Sequence, residues 1–281
     1  MSPQERKVPD GMEIRKQERT SDRYEIRPYK PEEAQKIFDE LEVPNWAPWL
    51  RASPEVLAKR TEVFPEGQIA IWSKDGRPMA NVNLSRFNYD GNPQSLPTWD
   101  ELMGNPPTGE HTFDLNGNAV GMMSINVRPD SQGGGLTRVI IDAVKKSAQE
   151  LGIKHVMGSF RPSQFGEYSD AVDKHASFSD YISKKRPEDN LLYDAWLRAL
   201  TRNGMRMLRI DDAAMVIPDV LQEQFDEYRS TYKPKRWKKI TPNVWRCGET
   251  GLWLVGNTSA TYLESNVWGI LDQQNNTPQA K

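Results

Sequence analysis

Asn126-Val127-Arg128-Pro129-Asp130-Ser131-Gln132-Gly133-Gly134-Gly135-Leu136-Thr137 decides how the rest of the chain is read. A strand-like run, NAVGMMSINV (118–127), ends on it, and a helical pattern begins at Leu136. Glycines between a strand and a helix let the backbone approach a ligand and turn its N–H groups inward. The helix start adds the positive end of its dipole, and together they suit a diphosphate. No Gly-Lys-Ser/Thr follows the glycines, so this is not a P-loop. The G-x-G-x-x-G spacing of dinucleotide folds is absent, and HVMGSF offers no acid for a ribose. Read alone, the triple glycine is equally a tight turn with no ligand.

The following segment, LTRVIIDAVKKSAQELG, places Leu136, Val139, Ile140, Ala143, Val144, Ala148 and Leu151 at helical spacing, with Gly152 as its stop. IKHVMGSF (153–160) returns as a strand. Strand, crossover helix and strand form a parallel, right-handed unit. Upstream, YEIRPY (24–29) alternates as a strand, and Pro31 opens a helix, PEEAQKIFDEL, with acids in its first turn. A short helix starts near Pro54. Asp75-Gly76 between QIAIWS and PMANVNL predicts a hairpin over Gln68–Asn83. Residues 85–113 read as a long loop of the functional or lid type. Downstream, a helix is predicted over Leu191–Leu200 with Gly204 ending it. MRMLRI reads as a strand, VLQEQFDEYRSTY as a helix, and GLWLVG and TYLESNVWGI as late strands.

The chain has 281 residues, 37% of them hydrophobic and 9% aromatic with nine Trp, enough for a core in one large or two small domains. Lys and Arg number 37 against 39 Asp and Glu, a net charge of −2, which argues against a dedicated nucleic-acid binder. The single cysteine, Cys247, excludes an internal disulfide and a Cys-clustered metal site; three scattered histidines predict no metal either. No apolar run reaches the roughly 18–20 residues of a membrane span, and the N-terminus lacks a secretory pattern. The expectation is a cytoplasmic protein with no membrane partner. Residues 1–22 and 272–281 are polar and read as tails around a unit at 23–271.

The run Val-x-Pro-x-x-Gln-Gly-Gly-Gly-Leu resembles the diphosphate motif of the GNAT acyltransferase superfamily, Arg/Gln-x-x-Gly-x-Gly/Ala. Gln132, Gly133, Gly134, Gly135 and Leu136 fit it, and Thr137 departs at the last small position. IRPYKPEEAQKIFDEL resembles the superfamily's first strand and helix, and Gln68–Asn83 its second and third strands. The insertion TWDELMGNPPTGEHTFDLNGN, FRPS, YDAWLRALTRNGMR and ESNVWGI are similar to one branch, which holds stand-alone GNAT proteins and the GNAT-like domains of polyketide loading modules. The resemblance covers about residues 24–271. It implies an α/β GNAT fold: a mixed, mostly antiparallel sheet with one splayed parallel strand pair, helices on both faces and a C-terminal extension (187–271). It also implies acetyl-CoA or another acyl-CoA as co-substrate, with no metal. The N–H near Val127 would hold the thioester oxygen, and Gln132 to Thr137 would cradle the diphosphate.

Transfer to an amine needs a base for the amine and an acid for the departing thiolate. Tyr168, after the strand ending at Phe160, is the candidate acid, and Glu110 and His111, in the long loop, are candidate bases. His155 reads as a core histidine. Loading-module relatives carry a Thr before the Arg of the segment matching FRPS and a His two residues after the Arg of the segment matching DAWLR. Here those positions are Phe160 and Leu200, which weakens a decarboxylase reading. The leading expectation is an N-acetyltransferase acting on a small-molecule amine. S-acyl transfer to a carrier protein and a catalytically lapsed acyl-CoA-binding module stay open, as does a homodimer. KPKRWKK (233–239) reads as a solvated cationic run, or as a docking site for an acidic partner or the CoA 3′-phosphate.

Overall fold

The computed structural model describes residues 23–104, 112–172 and 176–271. Its centre is a ten-stranded sheet. β1 (Tyr24–Pro28), β2 (Gln68–Ser73), β3 (Pro78–Phe87) and β4 (Ala119–Val127) follow one another antiparallel. β5 (His155–Phe160) lies parallel to β4 and is reached through α4 (Leu136–Glu150). On its far edge β5 pairs antiparallel with β10 (Ser259–Ile270). Beyond β10 come β9 (Leu252–Val255), β8 (Val244–Cys247) and β7 (Trp237–Thr241), while β6 (Arg206–Leu221) also pairs with β10.

Alternation along β2 explains how the sheet is covered on both faces. Ile69 and Ile71 join α4's buried stripe of Leu136, Ile140, Ile141, Val144 and Ala148. Ala70 and Trp72 point to the opposite face, onto α1 (residues 31–45) and α2 (Pro54–Val63). The helix α1 is irregular. It begins as a 3₁₀ turn at Pro31–Glu33, becomes α-helical at Ala34–Ile37, widens into a π turn at Phe38–Glu42, and closes at Val43–Asn45. Pro44 supplies the cause: it has no N–H to give, and its ring collides with the carbonyl four residues back. The Val43 N–H accordingly bonds Phe38 O, one residue further back than in an α-helix. The widened turn buries Glu42 on the sheet side.

The predicted hairpin, crossover helix and parallel pair are all present, with Gly76 and Gly152 at positive φ where the chain turns. Several expectations need correction. The stretch 85–113 is not all loop: β3 runs on to Phe87, and α3 (Trp99–Met103) forms behind a capping box between Thr98 and Glu101. The helix expected from Leu191 is α7 (Ala195–Arg202), because Asp194 caps it, accepting from the N–H of Trp196 and of Leu197, each at 3.0 Å. MRMLRI continues to Leu221 as a sixteen-residue strand, bent where Asp219 takes a positive φ after Pro218. β7 and β8 were not foreseen. The two predicted tails lie outside the described residues. Among the described residues, no helix is long and apolar enough to cross a membrane.

Candidate active site

The parallel pair is held together only briefly. β4 and β5 are in register from Ala119↔His155 to Met122↔Gly158, and then they separate. Two features open them. Met123 is an extra residue in β4, since Asn83 pairs Ser124 while Leu84 pairs Met122. Such a bulge bends its strand. Meanwhile Ser159 and Phe160 stay paired to Trp268 and Val267 of β10, which draws β5 away.

Beyond the bulge, the β4 edge facing β5 has no strand partner among the described residues. Arg128 N–H donates to Met79 O at 3.0 Å on the β3 side. Peptide groups alternate along a strand, so the N–H and C=O of Val127 leave on the other side, into the opening. The Val127 carbonyl there accepts the Gln132 side-chain amide at 3.3 Å, and the same amide reaches Asn45 Oδ1 at 3.4 Å. Gln132 thus ties the glycine loop to both β4 and the end of α1. Gly133 and Gly135 take φ of +79° and +82°, which L side chains rarely adopt. Among the described residues, the N–H groups of Gly133, Gly135, Leu136 and Thr137 meet no acceptor, and they fan around the start of α4.

A cleft of about 830 Å³ runs from this fan along the opening. Val127, Gln132, Gly133, Gly135, Leu136 and Thr137 all line it, as do Trp46, Ser124, Ser159, Phe160, Arg161 and Trp196. Of the predicted loop residues only Gly134 is set back; a Cβ there would stand 3.2 Å from Ser131 O. Arg138 and Arg202 also line the cleft, and with Asp142 and Asn203 they flank a smaller pocket beside it, where Arg138 pairs with Asp142 at 3.7 Å.

A second cavity of about 430 Å³ lies on the α1–α2 side and shares Trp46, Met123, Ser124, Ser159 and Arg161 with the first. The two therefore meet at the splay. Its walls are Trp49, Trp99, Met103, Met215 and Ile217, with Glu42, Arg51, Arg60, Asp100 and Glu264 among them. The residues β6 and β10 contribute are held by an aromatic cluster: Trp49 packs on Trp253 (5.3 Å) and Tyr228 (5.2 Å), the latter from α8 (Gln222–Thr231).

A buried polar row underlies the junction. Tyr29 Oη donates to Asn83 Oδ1 (2.6 Å), and Asn83 Nδ2 to Ser124 Oγ (2.8 Å). Asn126 Nδ2 donates to Glu42 Oε1 (2.9 Å), while Trp46 Nε1 donates to Asn126 Oδ1 (2.5 Å). Accepting from Asn83 leaves the Ser124 O–H free to donate. Burial pushes the Glu42 carboxyl above the ordinary carboxylate range, opposed by Arg60, Asn126, the Ala52 N–H and Arg51. Across the junction, Arg161 pairs with Glu264 at 2.7 Å and stacks on Trp46, 5.0 Å from its ring centre. Tyr262 Oη donates to the same carboxylate oxygen at 2.5 Å.

Other predicted site residues fall elsewhere. Glu110 and His111 lie outside the described residues. Tyr168 is on α5 (Phe165–Val172), packed at a tilt against Tyr181 (4.9 Å) of α6 (Phe178–Ser183) and Tyr193 (5.7 Å) beneath Lys184, and it lines neither cavity. Asp194 explains this: Tyr181 Oη and Gln164 N–H both bond it, which holds the start of α5 and its aromatic neighbour together away from both cavities. Tyr168→Phe is expected to leave any acyl transfer within about twofold of wild type, measured as thiol release. Phe160 does line the cleft, whereas Leu200 is wholly buried in the core. Much of KPKRWKK is engaged within the chain: Arg236 pairs with Glu167 and Glu249, Lys238 with Asp170, and Lys239 lies over Trp245. Burial pushes the Cys247 thiol up to about 11. Iodoacetamide is expected to leave it unmodified in the folded chain and to label it on denaturation. Glu42, Trp46, Arg60, Ser124 and Ser159 carry no motif; the one sequence signal near them is Pro44, a proline inside a helical pattern.

No protein-family model and no curated protein match the sequence. Solved structures do. The loading GNATL domain of CurA from Lyngbya majuscula shares 16% identity over 89% of this chain and 97% of that one, with a TM-score of 0.57. The GphF GNAT-like decarboxylase, in complex with isobutyryl-CoA, shares 22% over 68% of this chain and 90% of that one, with a TM-score of 0.56. With its strand order, its parallel pair and its likeness to both structures, the chain has the GNAT fold.

Proposed function

We propose that residues 23–271 form an acyl-CoA-dependent acyltransferase, with acetyl-CoA as donor and an amine of a small molecule as acceptor. One observation carries this reading: two cavities enter from opposite faces of the sheet and meet at the splay, beside Ser124 and Ser159. The diphosphate lies on the N–H fan of 133–137, with Arg138 and Arg202 toward the remaining phosphate. The pantetheine follows the unpaired edge of β4, where the Val127 N–H is free to bond it. The thioester carbonyl takes an N–H of the same edge as its oxygen becomes negative. Glu42 is the base: it is buried, has a raised pKa, and faces the acceptor cavity. The amine attacks the thioester carbon and gives its proton to Glu42 as the C–S bond breaks, and the Ser124 O–H donates a hydrogen bond to the departing sulfur.

The two similar structures suggest a second reading, S-acyl transfer to a carrier protein with or without decarboxylation. Phe160 and Leu200 offer no proton-handling group for it. Incubation with acetyl-CoA and a panel of small amines tests the first reading through thiol release and the mass of the product. An acetylated amine is the expected outcome. Carbon dioxide released from malonyl-CoA, with no amine acetylated, would favour the second.

A further inference from the structure

Beyond Glu42, the cavity on the α1–α2 side holds charge that the acyl-transfer reading does not use. Its three acids are engaged. Glu264 is taken by Arg161 and Tyr262, Asp100 accepts the Val216 N–H at 2.6 Å, and Glu42 accepts from Asn126. The arginines differ. Arg51 gives Nε to Trp46 O and Nη2 to Val43 O, both at 3.0 Å, closing the end of α1 without meeting a carboxylate. Arg60, in the last turn of α2, makes one side-chain hydrogen bond among the described residues, to the Met103 sulfur at 3.4 Å. A guanidinium carries five N–H donors and never loses its charge in a protein, and a thioether is a poor acceptor. Holding it half-buried among Trp and Met side chains is costly unless an anion completes it. Glu42 and Arg60 feel one another's charge yet form no ion pair, so space remains between them.

We propose that Arg60 is a carboxylate receptor, so that the ligand in this cavity is a small apolar molecule bearing a carboxylate. The proposal rests on the acyl-transfer reading only for which reactant carries the group. It could be an amino-acid-like acceptor, with its amine toward Glu42 and its carboxylate toward Arg60. It could equally be the far end of a dicarboxylic acyl chain entering from the splay. A cavity of about 430 Å³ walled by indoles and thioethers accepts an apolar body of amino-acid size in either case.

Trp46, Trp49 and Trp99 line the cavity, so indole fluorescence of the full chain reports its filling. The probes are matched pairs: L-phenylalanine against 2-phenylethylamine, L-leucine against isoamylamine, and malonyl-CoA against acetyl-CoA. In at least one pair the carboxylate-bearing probe is expected to bind about 10- to 100-fold more tightly. A preference in the amino-acid pairs assigns the group to the acceptor, and one in the thioester pair assigns it to the acyl chain. Arg60→Met is expected to abolish the preference while leaving the Kd for CoA itself unchanged, which also checks that the variant folds. Arg60→Lys, which keeps the charge, retains part of it. Equal binding within every pair, or a preference that survives Arg60→Met, would overturn the proposal. Failure of the wild-type chain to bind CoA would instead overturn the acyl-transfer reading, and the amino-acid pairs, which need no CoA, would still decide the role of Arg60.

Discussion

Gly134→Asp is expected to lower the affinity for CoA by at least about 100-fold while the chain stays folded. The added Cβ would stand 3.2 Å from Ser131 O, which asks the loop to give by a few tenths of an ångström but opposes no positive φ. The damage is electrostatic: a carboxylate is added to the loop just behind the N–H groups that would hold a diphosphate, beside the positive end of α4. Gly134→Ala, with the same Cβ and no charge, separates the two effects and should cost less than about tenfold. Gly135→Ala is a different test. Its φ of +82° strains any L residue, so it should lower the melting temperature as well as the affinity. Calorimetric titration with CoA, alongside thermal melts of all three variants, reads both quantities. Unchanged CoA affinity in Gly134→Asp would remove the loop from the binding site.

Glu42→Gln should move activity and stability in opposite directions. As the general base, Glu42 contributes about 10²- to 10⁴-fold to the rate, and glutamine cannot take a proton. Its pKa is raised chiefly by burial, so the folded state favours the neutral acid. The sign for stability follows from that direction. The wild-type chain loses stability as pH rises from the ordinary carboxylate range through the raised value, because the unfolded chain ionises Glu42 more easily. Glutamine does not titrate, so its advantage in melting temperature should grow toward neutral pH. The wild-type rate should rise through the same raised pKa. A Gln variant that keeps its rate would end the assignment of Glu42 as base. One whose melting temperature falls increasingly below wild type with pH would show that Arg60, Arg51 and Asn126 outweigh the burial cost.

The sequence exposed local order well where one physical rule acted alone. The helical period of 136–151, the Asp75-Gly76 turn and the glycines between β4 and α4 each predicted the element that formed. The expectations failed where distant groups decided the outcome. Asp194 starts α7 four residues later than periodicity suggested because its side chain caps two N–H groups. The same carboxylate gathers Tyr181 and Gln164, and so withdraws Tyr168 from the cleft it seemed placed to reach. The front of the site was readable because backbone N–H groups need glycine at set spacings. The acceptor side was not. Glu42 and Arg60 come from separate helices, Ser124 and Ser159 from strands that part company only in three dimensions, and Glu264 and Asn266 from the far end of the chain. No spacing rule links them. Thr98 and Glu101 form a capping box within a stretch that read as loop, so α3 was not foreseen.

Titration of the wild-type chain with acetyl-CoA and with S-acetylpantetheine, which has the same thioester arm but lacks the diphosphate and nucleotide, asks directly whether the glycine fan holds a diphosphate. Acetyl-CoA is expected to bind at least about 100-fold more tightly, with Gly134→Asp erasing the difference. Equal affinities, or no saturable binding of acetyl-CoA, would contradict the account.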